Sequence, residues 1–477
     1  MRTTALLFLL AAFAAVPGQA QQITNFPVAD LVLGRPNFTS GDATNPPTAA
    51  TLGESSGIVV DSASGKVFVA DTNNNRVLRY PDKDTLTNGA AAEYVFGQAN
   101  LISALSPDPP TVTSLNSPVG LALDDSGNLW VSDADNSRVL MYAAAVTRVD
   151  PSPAAAKVLG QANFTTRNTP APPTNASMNG PGGLEVDGSG DLWVADTGNR
   201  RVLRFDNAVA LANGAAAGGV LGQATFVTNT AATGAAAFSE PVSVTIDGSG
   251  TLWVADRGNN RVAGFTNAGS AANGAAATKV LGQASFAGVS SGLSATRFHG
   301  PSGVHAAGDS LWVLDQSNHR ALRFAGLTTI ANGAAASTVV GQPDFTSNDV
   351  ALNARRFESP YVGIFLDVSG SLWISDLNRN RVLRFDPGRE TRPTLTIRGK
   401  TRITTRKNSV LLRGTASSNV SIDRVIAQNQ TVPFFARGAE KWKVRIRLLD
   451  GRNLLRVFAV DENEVRSRPI RVVINRL

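Results

Sequence analysis

Three polar residues interrupt an otherwise apolar position that recurs through this chain, and they are the first place to look for chemistry. Six short segments carry Val59, Ala122, Glu185, Thr245, His305 and Phe365 at one equivalent position, with apolar neighbours on either side. Glu185, Thr245 and His305 fall in consecutive segments. A carboxylate, a hydroxyl and an imidazole on one wall can bind a polar ligand or relay a proton; the plainer reading is a solvated lining that is free to vary. The other two histidines, His299 and His319, lie close to His305 in the sequence. A zinc site gathers three or four ligands from separate elements, and this clustering does not supply them. No acidic calcium loop, no glycine-rich phosphate loop after a strand and no G-x-S-x-G elbow is present. The sequence therefore assigns no catalytic residue, no metal and no cofactor.

A second constellation pairs an aspartate with an arginine five positions later. The pairs are Asp71/Arg76, Asp133/Arg138, Asp196/Arg201, Asp256/Arg261, Asp315/Arg320 and Asp376/Arg381. Sixfold repetition is what a structural role requires. The functional alternative is an arginine-lined face, with Arg201, Arg261 and Arg320 as ligand-binding residues that attract an anion or an acidic partner.

These pairs belong to the stretch LWVADTGNRRVLRF at 192–205, which has counterparts beginning at Val67, Leu129, Leu252, Leu311 and Leu372. Successive aspartates are 62, 63, 60, 59 and 61 residues apart, and a period this long and regular marks a propeller or solenoid. Each unit holds four short apolar runs, as a propeller blade does. Short turns such as Gly188-Ser189-Gly190 join the first two runs and favour positive φ. A Gly-Gln pair ends the fourth run at 97–98, 160–161, 222–223, 282–283 and 341–342. A similar run, LVLGRPNF at 31–38, precedes the first full unit, and none follows the last. Counting the ends predicts six blades, closed by an N-terminal strand that completes the last one. In that architecture the first strands line a channel, placing Glu185, Thr245 and His305 there. Trp130, Trp193, Trp253, Trp312 and Trp373, with Phe68, are expected to pack between adjacent sheets. The D-x-x-N-x-R turns and the long inter-blade links share one face, and long loops on a rigid scaffold are usual recognition sites. Few aromatics occur in those links, which weighs against sugar stacking.

The pattern S-G-x-L-W-V-A-D followed by x-x-N-x-R-V-[apolar]-x-F resembles NHL repeats over about residues 29–387. The resemblance implies a β-propeller and spans several functions: binding modules for proteins and RNA, surface proteins, sensors and a few lyases. The lyases use a metal held by histidines from different blades, a set this chain does not supply.

Residues 1–20 read as an export signal, with Arg2, an apolar run from 5 to 16 and a small-residue end at Ala20. That run is too short for a membrane span, and no later segment reaches that length. The chain has no cysteine, which excludes disulfides and thiolate chemistry. Its basicity is local: residues 392–477 hold 19 Lys+Arg against 6 Asp+Glu, and the rest is net −6. After a linker at 388–393, alternation puts Lys441, Lys443, Arg445 and Arg447 on one strand face, an electrostatic stripe for an anionic surface or simply a solvated face. Strand candidates through 394–477 predict a small antiparallel sandwich whose ending resembles bacterial Ig-like domains. The reading is an all-β protein: signal peptide 1–20, six-bladed propeller 21–387 and basic Ig-like β-sandwich 394–477, secreted or held in the periplasm or at the cell surface. The expected function is non-enzymatic binding of an extracellular protein or polysaccharide through the loop-rich face. No nucleic-acid recognition motif is present. The alternative is an extracellular lyase or hydrolase with its site in the channel.

Overall fold

The computed structural model describes residues 23–40, 46–387, 394–407, 409–417, 422–427, 430–433, 441–448, 451–461 and 470–476. The expected signal at 1–20 and linker at 388–393 lie outside them. The chain is all-β. Residues 55–96, 118–159, 181–221, 241–281 and 301–340 each fold into a four-stranded antiparallel sheet, numbered here 1 to 5. Sheet 6 takes its first three strands from Ile364–Leu366, Leu372–Asp376 and Arg381–Phe385, and its fourth from Leu31–Leu33. Six four-stranded antiparallel sheets are the make-up of a β-propeller.

The repeated sequence explains each sheet locally. In sheet 3 the strands Pro181–Val186 and Leu192–Asp196 are joined by a hairpin whose Asp187 Oδ1 accepts from the N–H groups of Ser189 and Asp191 at 2.9 and 3.1 Å. Gly190 sits at φ +82°, a conformation that favours glycine. The next turn is one short 3-10 turn, Thr197–Asn199, ended by a left-handed Arg200. Its counterparts place Asn75, Ser137, Asn260, His319 and Asn380 in the same left-handed position. His319 is thereby a turn residue, and its Nδ1 accepts from the Ser359 N–H at 3.0 Å.

The core lies between sheets. Trp193 of sheet 3 packs with Phe238, Val244 and Leu252 from the sheet 4 side, and the other tryptophans do the same one sheet on, as expected. Trp373 of sheet 6 packs with Ile58 and Val67 of sheet 1. The first strands approach closely where they carry glycine: a Cβ on Gly57, Gly120 or Gly182 would lie 2.4 to 2.5 Å from a carbonyl oxygen of the next sheet, and one on Gly363 would lie 1.9 Å from Ser56 O.

The links carry a clip absent from local patterning. Asn213, in the link after sheet 3's third strand, reaches back to sheet 2, where its Oδ1 accepts from the Val158 N–H at 3.1 Å; the Gly214 N–H donates to Val158 O at 2.9 Å. Asn88, Asn273 and Asn332 repeat this on Val32, Val220 and Val280. Asn25 and Phe26 do it for Val339. Each clip occupies the outer edge of a neighbouring sheet, an edge that would otherwise offer unpaired backbone groups.

Residues 394–476 form a three-stranded and a five-stranded sheet sharing an apolar cluster of Leu412, Ala416, Val425, Ile446, Val457 and Val472 among others. The expected all-antiparallel pairing is corrected at one place: Arg402–Thr405 runs parallel to Ile470–Arg476.

Candidate functional site

The first strands of all six sheets converge on one cavity of about 100 Å³. Its floor is the glycine-rich zone just described, including Gly57, Gly120 and Gly183 with Ser243, whose Oγ accepts from the Val304 N–H at 3.3 Å. A side chain on these glycines would collide with the neighbouring strand, so their absence lets the first strands approach closely around the cavity. The rest of the wall is apolar, from Val59, Ala122, Val186, Val304 and Phe365 among others. Two titratable side chains border it, Glu185 and His305.

Glu185 and His305 are each half-buried where they border the cavity. Thr245 does not border the cavity: it is fully buried and acts as a bridge, its hydroxyl accepting from the Ala306 N–H at 3.1 Å and donating to the Glu185 carboxylate. His305 faces the other way, its ring 4.6 Å from that of Phe365 and bonded to the Leu366 backbone. The expected arc is therefore two separate arrangements on one cavity, Glu185 with Thr245 and His305 with Phe365. Burial, aided by the negative charge of Asp187, pushes the Glu185 carboxyl up to about 8, with Thr245 opposing. Burial also pushes His305 down to about 4, against its bond to Leu366. Both groups are mostly neutral at pH 7.

The arginine turns are committed to the fold. Arg201 is fully buried and its Nε lies 2.7 Å from Asp196 Oδ2. Its Nη2 donates to Thr174 O and Ser177 O, both at 2.9 Å, and its Nη1 to Phe226 O. Asp196 also accepts from Asn179 N–H and Asn199 Nδ2, which explains the Asn of the turn motif. Arg261 and Arg320 repeat the arrangement with Asp256 and Asp315, also fully buried. As ligand-binding face residues these three are corrected: their guanidinium forks grip the links on both sides of their own sheet and meet no solvent.

Glutamine completes the clamp. Gln283 Nε2 donates to Asn260 O in the turn and to Ser290 O in the following link, each at 2.9 Å; Gln98, Gln161, Gln223 and Gln342 do likewise. On these clamped links stand exposed apolar side chains: Ile102, Leu105, Val227, Val289 and Val350. Sequence reasoning expected recognition on the links but singled out none of these residues.

In the C-terminal unit Lys443, Arg445 and Arg447 are exposed, on the strand Lys441–Arg447. The Lys441 side chain lies outside what is described. Arg413, also exposed, stands directly opposite Lys443 on the adjacent strand. Like charges directly opposite each other are unfavourable. Among the described residues, no group of three or more His, Cys, Asp or Glu is placed to hold a metal, and no helix is long and apolar enough to cross a membrane.

Residues 56–80, 115–142 and 238–265 match the model of the NHL repeat. No curated protein matches the chain. Among solved structures, it is similar to a streptogramin B lyase at 12% identity, covering 72% of this chain and 96% of that one with a TM-score of 0.42. A structural genomics protein of unknown function from Bacteroides thetaiotaomicron matches at 15% identity over 74% and 75% of the two chains, TM-score 0.47. The extracellular domain of a hybrid two-component system from the same organism matches at 13% identity over 89% and 55%, TM-score 0.38. None of these likenesses carries an activity over to this chain.

Proposed function

We propose that this is an exported, non-enzymatic binding protein whose propeller engages an extracellular protein or polysaccharide through the face of clamped links. The propeller spans 21–387 behind a signal at 1–20, and its six blades close on one another. Support for closure comes from the pairing of Leu31–Leu33 with Arg381–Phe385, from the Glu54 N–H bonded to Asn380 Oδ1 at 2.7 Å, and from the close approach of Gly363 to Ser56. Residues 394–477 form an Ig-like sandwich in this reading, and its basic face adds contact with an anionic surface that weakens as salt is raised.

The observation that carries the proposal is the set of exposed apolar side chains on links held at both ends by Arg and Gln. Val289 O, for example, accepts from Asn260 Nδ2 at 2.9 Å, and the link carrying Val227 is gripped through Phe226 O. A link held in place presents its apolar groups with little ordering cost on binding. The test places a photo-crosslinking residue at Val227 or Val289, and for comparison at Ser189 or Ser249 in the hairpins. The mature protein is exposed to fractionated envelope protein and polysaccharide. Label transfer from the link positions alone, lost in V227E/V289E/V350E, is the expected result. Equal transfer from link and hairpin positions, or transfer untouched by the triple substitution, refutes the face assignment.

A further inference from the structure

We propose that the cavity bordered by the six first strands binds a small organic ammonium ion, its charge against the Glu185 carboxylate and its body against Phe365 and His305. This goes beyond the link-face reading and stands whether or not that reading holds.

Glu185 is an acid without a base. No lysine or arginine borders the cavity. The charged groups on neighbouring strands are Asp124, Asp187 and Asp247, each engaged with its own hairpin, and His305 is turned to Leu366. Thr245 supplies one hydrogen bond to the carboxyl, and Glu185 borders the cavity. A carboxyl placed where every ionised neighbour is also an acid favours a cation, because an opposite charge within about 4 to 6 Å restores the carboxylate.

Size and wall chemistry narrow the cation. A sphere of 100 Å³ is about 6 Å across, and an apolar cavity of about 150 Å³ admits benzene. Calcium and magnesium need about six oxygen ligands, and here one carboxylate and one hydroxyl are grouped. The same cavity is bordered by an aromatic pair, Phe365 with a neutral imidazole at 4.6 Å, and an aromatic face attracts an ammonium group. By the benzene measure the cavity takes about four or five heavy atoms, so a short alkyl amine fits both the apolar wall and the acid.

Binding is coupled to a proton. The free protein holds Glu185 mostly protonated at neutral pH; the amine arrives as its ammonium ion, Glu185 loses its proton to the buffer, and the ion pair forms with no net change of charge at the site. Affinity therefore rises with pH while the free acid is protonated, by about tenfold per pH unit between roughly pH 6 and 7.5, and levels off above about pH 8.

The experiment is calorimetric titration of the full mature protein with propylamine and butylamine, using propanol and butanol as uncharged counterparts. Each is run at pH 7 in two buffers of different ionisation enthalpy. Expected are amine binding with close to one proton released, alcohol binding at least about tenfold weaker, loss of amine binding and proton release in E185Q, and a severalfold loss in F365L. Circular dichroism checks that both variants are folded. Amine and alcohol binding equally with no proton released overturns the proposal in favour of a plain apolar cavity. No binding of either amine to the wild-type protein up to about 10 mM overturns it outright.

Discussion

Replacing Glu185 by glutamine should stabilise the protein, and the gain should depend on pH in a defined way. The carboxyl ordinarily titrates at 4.5 and in the fold is pushed up to about 8, first by burial and then by Asp187. At about 1.4 kcal/mol per pH unit, that gap corresponds to about 5 kcal/mol against the fold once the acid is fully ionised. The sign follows from the raised value. The folded chain holds this proton more tightly than the unfolded chain, so its contribution is fully present below about pH 4.5 and is lost as pH rises toward 8. At pH 7 the loss amounts to roughly 3 kcal/mol. Glutamine keeps the shape, still accepts from Thr245 and never ionises. Urea unfolding of wild type and E185Q from pH 4 to 9 should therefore give curves that nearly coincide at the acid end, separate through neutrality and run parallel above pH 8. Parallel curves across the whole range, or a variant less stable than wild type at pH 8, would falsify the assignment of Glu185 as an unpaired buried acid.

Two further outcomes test the scaffold. Arg201→Met strips the buried Asp196 of its cation and leaves Thr174, Ser177 and Phe226 carbonyls without their donor, at a cost of about 3–5 kcal/mol; adding Asp196→Asn should bring the double variant at least about 1 kcal/mol below the sum of the singles, and strict additivity in urea melts counts against the clamp. Trp193 Nε1 donates to Asp187 Oδ2 at 2.9 Å, whereas Trp312 Nε1 is buried with no partner, so Trp312→Phe should cost about 1 kcal/mol less than Trp193→Phe; equal melting shifts contradict the hydrogen-bond account.

The hairpin explains that last contrast and shows what a sequence makes legible. Asp124, Asp187, Asp247 and Asp367 each stand six positions before their tryptophan and each accept from its indole. In sheet 5 the hairpin is one residue shorter and carries Ala306 and Ala307, so no acid meets Trp312. Turn chemistry and burial of the tryptophans were readable because they depend on neighbours within a few residues and on alternation. The Asn clips and the two-sided grip of the arginines were not, since Asn213 reaches Val158 and Arg201 reaches both Thr174 and Phe226 across chain separations that no local pattern encodes. Their one signal was repetition of the same residue in copy after copy. At the cavity, spacing placed Glu185 and His305 on its wall; it did not show that Thr245 turns inward to serve Glu185, because which way a short hydroxyl points is set by the Ala306 amide of the next sheet.

Redundancy of this kind decides where function can sit. Asp, Asn and Arg of each turn, and Gln of each link, hold buried hydrogen bonds whose loss leaves charges or carbonyls unsatisfied, so these positions have little latitude to diverge. The glycines of the first strands are fixed for a different reason, since a side chain there meets backbone of the next sheet. Two classes of position escape both constraints. One is the surface of the links, where Leu105, Val227 and Val289 are exposed while the backbone beneath them is held. The other is the single variable position of the first strand, where valine, alanine, glutamate, threonine, histidine and phenylalanine all occur. At that second class the chain carries one carboxyl, Glu185, whose ionisation burial opposes.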